Sequence, residues 1–222
     1  MYYYRARYYG PALHRFLGQD LVLRLGANRY AYAGNTPTNA IDPFGLDTLI
    51  IFGGSPSSGP GGSSAGLNDL NPGLLRIAEA LPRLGEPTAV FNNGQHREIM
   101  KKAEEIVRAG RPLHIIGHSL GGQRAVTVLN DLLKLGIAPD HVFTIDPFIA
   151  DGTTVAPGAP VTNFYQLRSL INGRPIENAT NIQITDPGVG HFNITRHDQV
   201  LATIGITIVG QPLAVGGLGG RY

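Results

Sequence analysis

From Asp47 onward the chain alternates short apolar runs with longer stretches of helical period. Residues 47–54 (DTLIIFGG) are apolar and end in glycines, the pattern of a buried strand. Residues 69–84 place Leu74, Leu75, Ile77, Ala78, Leu81 and Leu84 at helical spacing behind Pro72, which suits a first helical turn. Thr88 to Phe91 reads as a strand and Asn92-Asn93-Gly94 as a turn. Residues 95–109 predict an amphipathic helix, with Ile99, Ala103, Ile106 and Val107 inward, a solvated charged face outward, and Gly110 closing it. Leu113 to Ile116 is a buried strand. Residues 123–135 (QRAVTVLNDLLKL) return to helical period, closed by Gly136. His141 to Ile145, residues 161–167 and residues 180–185 predict three more strands. A final helix is expected over 193–209, capped by Asn193, although its β-branched run from Ile204 to Val209 works against helix. The tail GGLGGRY is expected to fray.

Strands alternating with helices predict an α/β domain: a mainly parallel sheet with helices on both faces, spanning residues 47–222. In such a sheet, ligands bind beyond the carboxyl ends of the strands.

Composition narrows the chemistry. At 42% hydrophobic residues and mean hydropathy near zero, a 222-residue chain can bury a core without metals or disulfides. There is no cysteine, which removes disulfides, thiolate metal sites and a thiol nucleophile. No His/Asp/Glu cluster has metal-ligand spacing, so neither metal nor cofactor is expected. A net charge of +2 gives no reason to expect a nucleic-acid or membrane-surface partner. No apolar run approaches the roughly 20 residues of a membrane-crossing helix, and MYYYRARYYG lacks the apolar region of a secretory signal, so a soluble protein with no integral membrane segment is expected.

Residues 1–46 differ from the rest. They carry Arg5, Arg7, Arg15, Arg24 and Arg29 against Asp20 and Asp42, and seven of the nine tyrosines. Aromatic-rich pieces between Gly and Pro turns predict short β segments, with Arg stems lying over aromatic rings. The run YYYRARYYGPALHRFLGQD, then NRYAYAGNTPTNAIDPFGL, resembles the end of the core domain of RHS-repeat proteins. It closes on Pro37, Asp42, Pro43, Gly45 and Leu46, which match that family's P-x-x-x-x-D-P-x-G-L signature. The resemblance implies a boundary between an RHS-core segment (1–46) and a C-terminal toxin domain (47–222), with autoproteolysis after Leu46. It also implies an RHS cocoon and a cognate immunity protein as partners. Export by a secretion system, for example type VI, and action at the membrane of a target cell follow from the same resemblance. Read without it, Asp-Pro-x-Gly is a β-turn sequence.

The candidate chemistry centres on Gly117-His118-Ser119-Leu120-Gly121. An apolar strand before it and an amphipathic helix after it make this G-x-S-x-G a nucleophile elbow, with Ser119 at the apex of a strained turn. A serine hydroxyl needs a base and an orienting acid. Asp146 directly follows the strand ending at Ile145, and His191 sits in the Gly/Pro loop after residues 180–185. Both therefore land on the rim that carries Ser119. Asp146 could instead cap a turn before Pro147. Asp151 and Asp186 are rival acids, and His197 is the rival base, expected one or two turns into the last helix. His114 is expected in the core, and His118 beside the pocket with its ring unable to reach Ser119. His14, His96 and His141 are expected at the surface. The N-terminal end of the helix that follows adds positive potential where an oxyanion would form, and Gly54 or Ser55, in the Gly/Ser/Pro-rich stretch 53–66 after the first strand, suits a backbone oxyanion donor.

GHSLGG, IDPF and GHF, in that order, resemble the lipase/esterase branch of the α/β-hydrolase fold. The resemblance implies hydrolysis of carboxylic esters, lipids or phospholipids among them, by Ser119 as nucleophile, Asp146 as acid and His191 as base, with the Leu120 N–H in the oxyanion hole. The stretch is short for that family and shows no separate lid. Two other classes remain open: a catalytically idle interaction module, and a serine amidase or acyltransferase using the same three residues.

Overall fold

The computed structural model describes residues 2–4, 7–13, 15–17, 47–51, 71–84 and 86–213. Near the N-terminus, β1 (Tyr2–Tyr4), β2 (Arg7–Gly10) and β3 (Arg15–Phe16) form an antiparallel three-stranded sheet. Tyr3 pairs with Tyr8, and Tyr9 lies between Tyr2 and Phe16. The tyrosine-rich pieces thus take the β form their composition favours. The signature residues Pro37, Asp42, Pro43, Gly45 and Leu46, together with His14 and the loop 53–66, lie outside the described residues.

The larger sheet has six parallel strands in the order β5-β4-β6-β7-β8-β9. They are β4 (Asp47–Ile51), β5 (Thr88–Phe91), β6 (Leu113–His118), β7 (His141–Ile145), β8 (Val161–Tyr165) and β9 (Thr180–Gln183). Among the described residues four helices accompany them: α1 (Pro72–Arg83), α2 (His96–Arg108), α3 (Leu120–Lys134) and α4 (Asp198–Val209). The chain first runs outward from β4 to β5, then returns past β4 to β6 and continues the other way. This reversal beside β6 is the switch point at which α/β sheets open a crevice.

Two apolar layers cover the sheet, as side chains alternating across the pleat require. Ile116, Phe143, Ile145 and Phe164 pack with Leu74, Ile77 and Leu81 of α1 and with Ile204 and Ile208 of α4. Ile115, Val142 and Val161 pack with Ile99 and Ile106 of α2 and Leu129 and Leu132 of α3. The sheet is therefore a parallel α/β sheet with helices on both faces. All six residues of β6 are buried, so the strand that leads to Ser119 is fixed along its whole length.

The last helix differs from its expected form. Residues Ile194–Arg196 form a separate 3-10 turn, and α4 begins at Asp198 with His197, not Asn193, at its N-cap. The Asn193 side chain turns back instead, accepting from Gly190 N–H (2.7 Å) and donating to the Gly188 carbonyl (2.8 Å). The β-branched run remains helical because burial of Ile204 and Ile208 outweighs its weak propensity. Among the described residues no helix is long and apolar enough to cross a membrane.

Candidate active site

Ser119 lies between β6 and α3 with φ 57° and ψ −123°, a conformation costly for a residue with a Cβ. Its surroundings hold it there. Ser119 N–H donates to the Ile145 carbonyl (3.1 Å), and its own carbonyl accepts from Phe148 N–H (3.0 Å). The glycines make the turn sterically possible. A Cβ on Gly117 would sit 2.3 Å from the Gly121 carbonyl oxygen, and one on Gly122 would sit 2.7 Å from Pro147 Cβ. Leu120 is the first residue of α3, so its N–H is one of the four that a helix cannot satisfy internally.

Asp146 follows β7 and is also held at positive φ, 44°. Its side chain is fully buried. Oδ1 accepts from Gly173 N–H (2.6 Å) and Gln166 N–H (3.1 Å); Oδ2 accepts from the Gln166 side-chain amide (2.9 Å) and His191 Nδ1 (2.7 Å). Burial pushes the carboxyl up, but the bonds from His191, Gln166 and Gly173 together outweigh it and hold the group below its ordinary range.

His191 closes the chain. With Nδ1–H directed at an ionised Asp146, Nε2 is left as an acceptor, and it lies 2.9 Å from Ser119 Oγ. The structure thus brings Ser119, His191 and Asp146 into one line of hydrogen bonds. The loop carrying His191 is tied from three sides. His118 Nε2 reaches the His191 carbonyl (2.8 Å), Ser169 Oγ lies 3.3 Å from His191 N, and the Asn71 amide donates to the Phe192 carbonyl (2.8 Å).

The rivals are engaged elsewhere. Asp151 pairs with Arg174 (2.5 Å), and Asp186 with His197 (3.2 Å). His114 is buried within β6. His96 contacts Asp131 (3.2 Å). His141, expected at the surface, is half-buried, bonds Thr162 Oγ1 (2.9 Å) and packs on Phe143, because its strand lies inside the sheet. Gly54 and Ser55 lie outside the described residues.

Three groups around these side chains were not anticipated: the Gln166 amide, the Gly173 N–H and the anchoring bond of His118. Gln166 had a readable signal, being the first residue beyond β8, the place Asp146 holds beyond β7. Gly173 had none, since only the folded loop brings it to the carboxylate.

A cavity of about 500 Å³ opens beside His191, lined by Ser169, Leu170, Ile171, Gly190 and Phe192 among others. Its volume falls in the range of small-molecule sites. Leu170, Ile171 and Phe192 make its rim apolar and are exposed.

The chain matches no family model. It is similar to the toxin protein Tse5 of Pseudomonas aeruginosa, at 51% identity over 55 residues, which make up 24% of this chain and 4% of that protein. The chain therefore spans only a small part of that relative's length. Among solved structures it is similar to a protein of Xanthomonas campestris pv. campestris described as a hydrolase of the alpha/beta superfamily, at 16% identity over 68% of this chain and 94% of that one, with a TM-score of 0.44. It is likewise similar to the RedJ thioesterase of the prodiginine biosynthetic pathway in Streptomyces coelicolor, at 14% identity over 73% of this chain and 85% of that one, with a TM-score of 0.45.

Proposed function

We propose that this protein is a serine hydrolase of carboxylic esters, with lipids or phospholipids as its substrates. The observation that carries the reading is the unbroken line from Ser119 Oγ through His191 to the ionised Asp146, beyond the carboxyl ends of β6 and β7. Ser119 Oγ attacks the acyl carbonyl while His191 Nε2 takes its proton. Asp146 holds the imidazole in the required tautomer and balances its charge. The Leu120 N–H, with a second donor at Gly54 or Ser55, binds the oxyanion. His191 then protonates the departing alcohol. Water, activated by the same ring, attacks the acyl-enzyme, and the free acid leaves with Ser119 regenerated. The apolar rim of Leu170, Ile171 and Phe192 favours an acyl chain over a polar substrate.

The biological setting belongs to the same proposal. Residues 47–222 form the toxic domain of an RHS protein, released after Leu46, exported by a secretion system such as type VI and acting at the membrane of a target cell. An RHS cocoon and a cognate immunity protein are its partners. The RHS-core resemblance of residues 1–46 supports this setting, as does the partial identity to a protein named as a toxin.

The test uses the full chain and its Ser119→Ala variant on p-nitrophenyl esters of graded length and on phospholipid vesicles. Hydrolysis by the wild type and its loss in the variant is the expected result. Equal hydrolysis by both removes Ser119 from the chemistry. No hydrolysis by either favours the idle interaction module.

A further inference from the structure

The Gln166 amide does more than touch the acid. The side chain is fully buried at the end of β8. Its Oε1 accepts from the backbone N–H groups of Arg168 (2.7 Å) and Ser169 (2.9 Å). Its Nε2 faces Asp146 Oδ2 (2.9 Å), Ser169 Oγ (2.8 Å) and the Ile171 carbonyl (3.0 Å). Donors surround the oxygen and acceptors surround the nitrogen, so only one orientation of the amide satisfies the network. Ser169 Oγ in turn donates to the Ile171 carbonyl and meets His191 N–H. One amide thereby folds residues 168–171 onto itself while gripping the carboxylate. That turn carries Leu170 and Ile171, one wall of the cavity beside His191. Gly173 N–H closes the far end of the segment on Asp146 Oδ1 (2.6 Å).

We propose that Gln166 is a positioning residue that couples the acyl-binding wall to the acid. It orients the Asp146 carboxylate toward His191 and, through the same side chain, sets where Leu170 and Ile171 stand. The inference rests on the reading of Ser119, His191 and Asp146 as a hydrolytic triad. If it holds, acid placement and chain-length selectivity are not separable, because a single buried group fixes both.

The test compares the full-length wild type with Gln166→Met, which keeps length and removes the amide, on p-nitrophenyl acetate and decanoate. With one donor fewer, more of the Asp146 negative charge faces His191 and favours the protonated ring, which cannot act as base. The expected results are a roughly tenfold lower kcat on acetate and an acidic limb of kcat/KM at higher pH. A rise in KM on decanoate larger than that on acetate is expected as well. A uniform loss of kcat/KM with the acidic limb unmoved would reduce Gln166 to a purely structural part and overturn the proposal, and so would unchanged kinetics. If Gln166→Met does not fold by circular dichroism, Gln166→Asn, which withdraws the amide by one methylene, is read in the same way. If the wild type hydrolyses no ester, the hydrolase reading fails first. The proton resonance of His191 Nδ1–H then decides the positioning role: a shift or loss between wild type and variant supports it, and an identical resonance overturns it.

Discussion

His118 Nε2 lies 2.8 Å from the carbonyl oxygen of His191, and the two rings stand with centroids 4.8 Å apart. The residue before the serine therefore anchors the loop that carries the histidine facing that serine. A carbonyl only accepts, so His118 carries its proton on Nε2. Burial pushes its pKa down from 6.5 to about 4, against the bond to His191, which raises it.

That shift predicts a pH-dependent stability. Between pH 6.5 and about 4 the unfolded chain takes up a proton that the folded ring refuses, so stability falls as pH falls through this window. The loss attributable to this ring is on the order of 3 kcal/mol across the whole window. Replacing His118 with Phe removes the titration but also the anchor. Urea unfolding at several pH values should show the variant less stable than wild type at pH 7.5 and the gap narrowing toward pH 4.5. A gap that stays constant with pH would mean that His118 titrates alike in both states.

The elbow glycines give a second prediction. A Cβ at position 117 would overlap the backbone carbonyl of Gly121, and neither backbone can retreat without unmaking the turn at Ser119. Gly117→Ala should cost about 3 kcal/mol or more and abolish ester hydrolysis even in the fraction that folds. Thermal unfolding and turnover per folded molecule, measured together, check this. A variant of wild-type stability would contradict the close approach.

A third concerns Asn71, whose side chain works in two directions. Its Oδ1 caps α1 by accepting from Gly73 N–H (2.9 Å) and also accepts from Thr195 Oγ1, while its Nδ2 donates to the Phe192 carbonyl. Asn71→Ala should therefore cost more than the ~1 kcal/mol of an ordinary N-cap. It should also raise hydrogen exchange in residues 190–195 and lower kcat. Asn71→Asp keeps the cap and loses the bond to Phe192. It should recover most of the stability but not the protection of the loop.

The alternation of apolar runs was enough to predict the parallel sheet, because strands buried on both faces must be apolar throughout and the helices between them must show one apolar stripe. The meeting of Ser119, Asp146 and His191 was legible for a related reason: Ser119 and Asp146 stand directly beyond β6 and β7, His191 sits in the loop that follows β9, and parallel strands bring those ends to one edge. What escaped prediction depends on loops. Asn193 looked like a helix cap because it precedes an apolar run, yet its side chain is satisfied by Gly188 and Gly190. Gln166 and Gly173 meet Asp146 only through the path of residues 166–173, and no periodicity encodes that path.

The exposed rim supplies the last prediction. Leu170 is wholly open to solvent, and Ile171 and Phe192 stand exposed beside it at the mouth of the cavity. A leucine this exposed contributes little to folding, so Leu170→Ser should alter unfolding free energy by no more than about 0.5 kcal/mol. Under the proposed function its apolar surface gains when an acyl chain covers it, at about 25 cal/mol per Å² removed from water. The substitution should therefore lower the ratio of kcat/KM for decanoate over acetate, by about three- to tenfold. Phe192→Ala should act in the same direction. An unchanged ratio in both variants would mean that the acyl chain leaves Ser119 by another route and that this rim serves a different contact.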